Sequence, residues 1–290
     1  MGLVVVIPHY IASDANSSKH RHEYLSAELT AWRKELADCK SALFHGHYRV
    51  LTFALRDHSA TLDPAFENLA KSFKAEGLSC FDFITLEAPA RIPDPYPHLK
   101  RRPKDTNLNV KWYSGHAAER QRGQTADIVS ALSYAAYHYP SAKVIALFED
   151  DSDICGLDKI ANWLSDIPSK DPHWGYLSTG AGGSGFFFNP RILPHFLAFI
   201  FGTMYHSNID VNIWKYAVQY EVNEYITVKR LAAHIGATSS FGYSWKPDTC
   251  GRDNELHRWG GMGKFYYSRN GCAHLSEGVL CHLWHRSTLE

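Results

Sequence analysis

Apolar residues fall along this chain in two alternating rhythms. LVVVIPHY (residues 3–10) and YRVLTFAL (48–55) are apolar runs rich in β-branched side chains, the pattern of buried strands. CFDFITLEA (80–88) alternates Phe81, Phe83 and Thr85 with Asp82, Ile84 and Leu86, and KVIALF (143–148) is again a continuous apolar run. Between these runs the spacing changes to threes and fours. Leu25, Leu29, Trp32 and Leu36 predict a helix over 22–40, and Ile128, Leu132 and Ala135 predict another over 124–138. Such alternation predicts an α/β fold, Rossmann-like, with a mostly parallel sheet and helices on both faces. Beyond residue 190 the pattern turns helical in ILPHFLAFIFGTMYH and VNIWKYAVQY. A short strand, EYITV, and an irregular tail rich in Gly, His and Trp follow. PARIPDPYPHLKRRPKD (89–105) is proline-rich and basic; it reads as an ordered loop or flap because both sides continue one pattern. A single domain over 1–290 is therefore expected.

Composition narrows the classes. With 45% hydrophobic residues among 290, the chain can build a core and is not disordered. Thirty basic residues balance thirty acidic ones, which argues against a nucleic-acid partner. No apolar run is long enough to span a bilayer. MGLVVVIPHY reads as a first strand rather than a signal peptide. The compartment stays open between cytoplasm and, for a catalytic domain trimmed from its anchor, the Golgi or ER lumen. The six cysteines show no CxxC spacing, which argues against a zinc site; Cys250, Cys272 and Cys281 are the group expected to pair if disulfides form.

Candidate chemistry begins where the 143–148 run ends. Glu149, Asp150, Asp151 and Asp153 crowd four carboxylates into five positions of LFEDDSDI. In open α/β sheets ligands bind beyond the carboxyl ends of the strands. A hard divalent cation with oxygen ligands would cancel the repulsion. The alternative is a solvated helix start, GLDKIANWL supplying the helix. An EF-hand is excluded, because the glycine at the sixth position and the glutamate at the twelfth are missing. The remaining carboxylates give no paired spacing for a two-metal nuclease. GAGGSG (180–185) formally spells the dinucleotide fingerprint, but FFFNP after it reads as a strand where the fingerprint needs a helix. A flat loop where backbone approaches a ligand fits better.

Four segments carry a family resemblance, in order: ERQRGQTADIVSALSYA, LFEDDSDI, GGSGFFFNPRILPHFLAFIF, and NIDVNIWKYA followed by AAHIGATSS. Over roughly residues 112–240 the chain resembles metal-dependent glycosyltransferases of the GT-A fold. It is similar above all to the N-acetylglucosaminyltransferase IV family and the related enzyme that adds N-acetylgalactosamine to GPI anchors. Two departures are Ile209, where many relatives carry an acidic residue before the catalytic Asp, and Ile235, where they carry Val.

The resemblance implies a donor-binding half, 1–155, and an acceptor-binding half, 156–290. It implies Mn2+ or Mg2+ held by Asp151, with Asp150 at the metal or the ribose; Asp153 competes through its Asp-x-Asp spacing, or else starts a helix. His234 is the implied late histidine ligand, with His285 in CHLWH as its rival. The implied donor contacts are Pro8, His9 and Tyr10 at the end of the first strand, with core packing the equal alternative there; Arg122, which otherwise lies on a solvated helix face; Gln124, Asp127, Glu149 and Asp150; and Gly182, Gly183 and Ser184 of the glycine loop, which is otherwise a plain turn. Asp210 is the implied catalytic base, its alternative role being a helix cap. The expected reaction is inverting transfer from a nucleotide sugar, UDP-linked, to a hydroxyl of a protein- or lipid-linked glycan. The rival readings are a retaining transferase of the same fold and a non-catalytic carbohydrate-binding protein. A sugar nucleotidyltransferase is disfavoured, since IPHYIASDANSS lacks its glycine- and arginine-rich phosphate loop.

Overall fold

The structure, a computed structural model, describes residues 2–10, 15–56, 64–87, 116–180, 185–203, 209–236, 247–252 and 279–282. Its strands are β1 (Leu3–Tyr10), β2 (Tyr48–Arg56), β3 (Phe81–Glu87), β4 (Val144–Leu147), β5 (Ser152–Ile154), β6 (Trp174–Ser178), β7 (Phe186–Phe188), β8 (Asn223–Thr227), β9 (Ala232–His234) and β10 (Val279–His282). Its helices are α1 (Ala15–Glu35), α2 (Pro64–Ala75), α3 (His116–His138), α4 (Leu157–Lys170), α5 (Leu193–Thr203) and α6 (Ile209–Tyr220). Eight strands form one sheet in the order β10-β8-β6-β7-β4-β1-β2-β3; β5 and β9 form a separate two-stranded ladder. In the large sheet β7 runs against β4 and β6, and β10 against β8, while the remaining pairs are parallel; β5 and β9 are antiparallel. This is the α/β class that the alternating rhythms predict.

Both faces of the sheet are covered, and β1 shows why its first five residues are apolar. Leu3, Val5 and Ile7 join a core with Leu25, Leu29 and Trp32 of α1, Phe66 and Phe73 of α2, and Ile160 and Leu164 of α4. Val4 and Val6 point the other way, into a core with Ile128 and Leu132 of α3, Phe196 and Ile200 of α5, and Ile213 and Tyr216 of α6. Alternate side chains from Leu3 to Ile7 thus feed two cores, so none of these five positions is left for a polar residue.

The helical stripe of α1 is where expected, but the helix ends at Glu35, short of residue 40. Ala37, Asp38 and Cys39 take left-handed backbone (φ 46, 50 and 70), which stops the helix. That turn carries Cys39 to Cys80, at the entrance of β3, where the two form a disulfide with Cα atoms 5.6 Å apart. A second disulfide joins Cys155 to Cys250. The pairing expected among Cys250, Cys272 and Cys281 is corrected at Cys250, whose partner is Cys155, 95 positions away. Sequence spacing could not reveal this, because the fold, not the chain, brings these sulfurs together. Cys272 lies outside the described residues. No described helix is long and apolar enough to cross a membrane.

Phe148 ties the sheet to the segment that follows it. It is fully buried, edge-on to Trp32 of α1 (ring centroids 5.0 Å apart) and to Phe187 of β7 (5.6 Å). Phe148→Ala is expected to lower the unfolding free energy by about 3–5 kcal/mol in urea titrations, the usual cost of an aromatic-sized cavity; Phe148→Leu should cost less.

Candidate functional site

From β1 the chain proceeds outward through β2 to β3, and then returns to add β4 on the opposite side of β1. That reversal of direction opens a crevice beyond the carboxyl ends of β1 and β4, the usual ligand position in such sheets. His9 lies at the end of β1, and Glu149, Asp150 and Asp151 follow β4. The Phe148 N–H donates to the Val6 carbonyl at 3.0 Å, and the Ser152 N–H closes a turn onto the Glu149 carbonyl at 3.1 Å. Around this turn Glu149 and Asp151 share one set of neighbours and Asp150 has another.

Glu149 and Asp151 meet His234. One ligand atom from each of the three lies within 4.8 Å of the others. His234 Nε2 is 3.1 Å from Asp151 Oδ2 and 3.9 Å from Glu149 Oε2. The histidine arrives on β9, which pairs with β5 so that His234 stands opposite Ser152. The Ile235 N–H then donates to the Asp151 carbonyl at 2.8 Å. Gln124 Nε2 donates to Glu149 Oε1 at 3.1 Å and fixes that carboxylate from α3.

Two observations test whether these residues fit a divalent cation. Asp151 Oδ1 is buried and accepts no hydrogen bond from any described residue. A buried carboxylate oxygen left that way is costly unless something else binds it. The second is Gly236. A Cβ there would collide with Asp151 Oδ2 and lie 3.1 Å from His234 Cε1, so any larger residue would press into the space between the two ligands. Two carboxylates and an imidazole, partly open to solvent, suit Mn2+, Mg2+ or a related ion. Electrostatics agree. Burial, with the charges of Asp151 and Asp210, raises the pKa of Glu149, and His234 opposes this. Burial alone would lower the pKa of His234, but the hydrogen bond and charge of Asp151 raise it above the ordinary value. The imidazolium is the cluster's own counter-charge.

Asp150 turns the other way. Its Oδ2 is 2.6 Å from His9 Nδ1 and 3.6 Å from Arg21 Nη1 of α1. Burial would raise its pKa, but Arg21 and the His9 hydrogen bond hold it below the usual carboxylate value. His9 is itself buried and stacks near Phe66. Asp150 therefore braces the ends of β1 and β4 against each other.

The other expected residues are distributed as follows. Asp210 lies in the first turn of α6, near enough for its charge to raise the pKa of Glu149. Asp153 is in β5, opposite Ala233, and is outside the three-residue group. It belongs to a strand, so the helix-start alternative is corrected; α4 begins only at Leu157. Pro8 and Tyr10 are among the last three residues of β1, with Pro8 partly buried. Arg122 lies on α3, but its side chain is outside the described residues, as are Gly182, Gly183, Ser184 and His285. Gly185, which ends the glycine loop, is described: its φ is +79, and a Cβ would meet Ala232 at 2.6 Å, so only glycine fits there.

Sequence reasoning missed Arg21, Glu28 and Gly236. Glu28 has a readable signal, because it occupies the stripe itself, three after Leu25 and four before Trp32. It is fully buried. Burial, then the charges of Asp150 and Asp151, raise its pKa well above the ordinary value. Arg21 and Gly236 carry no such signal.

Asp127, on α3, is buried, and its Oδ2 has no hydrogen-bond partner among the described residues. Burial pushes its pKa from 3.8 up to about 7. The folded state then holds a proton that the unfolded chain gives up between those two values. Stability should fall as pH rises through that window, by on the order of 4 kcal/mol from this group. Asp127→Asn should remove that part of the decline, read as the difference between wild-type and variant unfolding free energies at pH 4 and pH 8.

No protein-family model matches the chain, and no curated protein sequence matches it. Solved structures do. Mouse xyloside xylosyltransferase 1, in its apo form, matches with a TM-score of 0.35 and 10% identity over 76% of each chain. A protein described as a nucleotide-diphospho-sugar transferase from Desulfovibrio desulfuricans matches with a TM-score of 0.40 and 9% identity over 77% of each chain. A Pyrobaculum calidifontis mannosyltransferase in complex with GDP-mannose and Mn2+ matches with a TM-score of 0.36 and 12% identity, over 67% of this chain and 46% of its own.

Proposed function

We propose that this chain is a metal-dependent glycosyltransferase of the GT-A type, transferring a sugar from a UDP-linked donor to a hydroxyl of a glycan acceptor with inversion. The observation that carries the reading is the convergence of Glu149, Asp151 and His234 beyond the carboxyl ends of β1 and β4. Support also comes from the ordered segments that resemble the N-acetylglucosaminyltransferase IV family, since the segments around Glu149, Asp210 and His234 supply interacting groups.

In this reading Glu149, Asp151 and His234 hold the cation, Mn2+ or Mg2+. Bound there, such an ion would supply positive charge to the departing nucleoside diphosphate. Gln124 orients Glu149 for that task. Asp150, locked by His9 and Arg21, keeps the turn in place and leaves Asp151 free to ligate. Asp210 accepts the proton of the acceptor hydroxyl as that oxygen attacks the anomeric carbon. The glycine loop ending at Gly185 is assigned to donor contacts, and the tail to the acceptor half.

Calorimetric titration of UDP tests the donor site. Wild type is expected to bind UDP with Mn2+ and to lose binding in EDTA, and Asp151→Asn should lose it under both conditions. Absence of binding by the wild type in Mn2+ would overturn the reading. Asp210→Asn should keep UDP affinity and lose transfer by about 100-fold or more, the usual scale of a general base; transfer near the wild-type rate would remove Asp210 from the mechanism.

A further inference from the structure

The three residues of the metal cluster differ in how they are anchored. Glu149 and Asp151 follow β4, a central strand of the large sheet. His234 ends β9, a three-residue strand whose ladder partner, β5, is equally short. So short a pair gives little stability of its own. The geometry of His234 therefore depends on what else holds β9.

Residues 247–252 do. The Asp248 N–H donates to the carbonyl of His234 itself at 2.8 Å. The Gly251 N–H donates to the Arg230 carbonyl, and the Arg230 N–H to the Arg252 carbonyl, both at 2.8 Å. The Asp248 carboxylate pairs with the Arg230 guanidinium, and both side chains are nearly buried. On the far side of the ladder the Cys155 N–H donates to the Leu231 carbonyl at 2.9 Å. Cys155 directly follows β5, and its disulfide to Cys250 closes the ring. The strap thus grips β9 at both ends and is bonded covalently to β5.

From this arrangement we infer that the Cys155–Cys250 disulfide and the Arg230–Asp248 pair form a clasp that positions His234 against Glu149 and Asp151, and so sets metal affinity. The inference rests on the metal role proposed above. Cys155, Cys250, Arg230 and Asp248 are positioning residues and act only through His234. Groups that orient metal ligands commonly change affinity 10–100-fold when removed. The Cys39–Cys80 disulfide provides an internal control. It ties the turn after α1 to the residue before β3, an edge strand of the large sheet, whereas β9 pairs with β5 in the separate ladder.

The test is a manganese titration by electron paramagnetic resonance on the full chain, on C155A/C250A and on C39A/C80A. It is paired with hydrogen exchange at the Ile235 amide, which bonds the Asp151 carbonyl, in the metal-free proteins. C155A/C250A should raise the Kd for Mn2+ on the order of 10–100-fold and speed exchange at Ile235. C39A/C80A should lower thermal stability and leave both readouts unchanged. Asp248→Asn keeps the disulfide and should weaken Mn2+ binding in the same direction; it carries the test if C155A/C250A does not fold. Wild-type Mn2+ affinity in C155A/C250A, or in Asp248→Asn where that variant stands in, overturns the clasp and leaves the metal reading intact. A wild type that binds no Mn2+, with Ile235 exchange still faster in C155A/C250A, overturns the metal reading, and the clasp is then only a brace.

Discussion

Everything at the end of β4 depends on how three consecutive carboxylates are kept apart. Two like charges about 4 Å apart near a protein surface repel by roughly 4 kcal/mol, and burial adds to the penalty. The turn after Phe148 answers this by sending Asp150 away from its neighbours. Asp150 meets His9 at hydrogen-bond distance and the opposite charge of Arg21. Glu149 and Asp151 stay together and recruit His234. One motif therefore yields two environments. In the first a carboxylate is satisfied within the protein and does structural work. In the second two carboxylates are satisfied only in part, with Asp151 Oδ1 left without a partner among the described residues.

That incomplete satisfaction is what makes the second environment chemically available. A histidine held charged by its neighbours is a placeholder counter-ion, and a divalent cation would replace its proton with a stronger charge. The surroundings favour such an exchange. Gly236 keeps the space clear, Gln124 fixes Glu149, and the β5–β9 ladder presents His234. Glu28 is buried, and burial, then the charges of Asp150 and Asp151, raise its pKa, which opposes a further negative charge there.

Much of the frame is legible in the sequence. β1 spans the residues its apolar run predicts, because Leu3 to Ile7 feed two cores and leave no polar position among them. The stripe from Leu25 to Leu36 is equally plain. Helix α3 begins at His116, earlier than residue 124, because HAAERQRG has no apolar face to announce a helix. β5 and β9 are not legible at all: SDI and AAH are too short for a period and pair across nearly 80 positions. The contact of His9 with Asp150 spans 141 residues, and no local pattern encodes it. Disulfide partners are hidden for the same reason. The candidate site was thus readable as a cluster of carboxylates, but its division into two environments was not, because that depends on which distant strand ends face each carboxylate.

The most direct measurement is anomalous diffraction from crystals soaked in Mn2+ and UDP, with data collected at the manganese absorption edge. The account predicts a single strong anomalous peak within bonding distance of Glu149, Asp151 and His234, and none at Asp150. A peak bound through Asp150 or Asp153 instead, or no peak near these residues at saturating Mn2+, would contradict it.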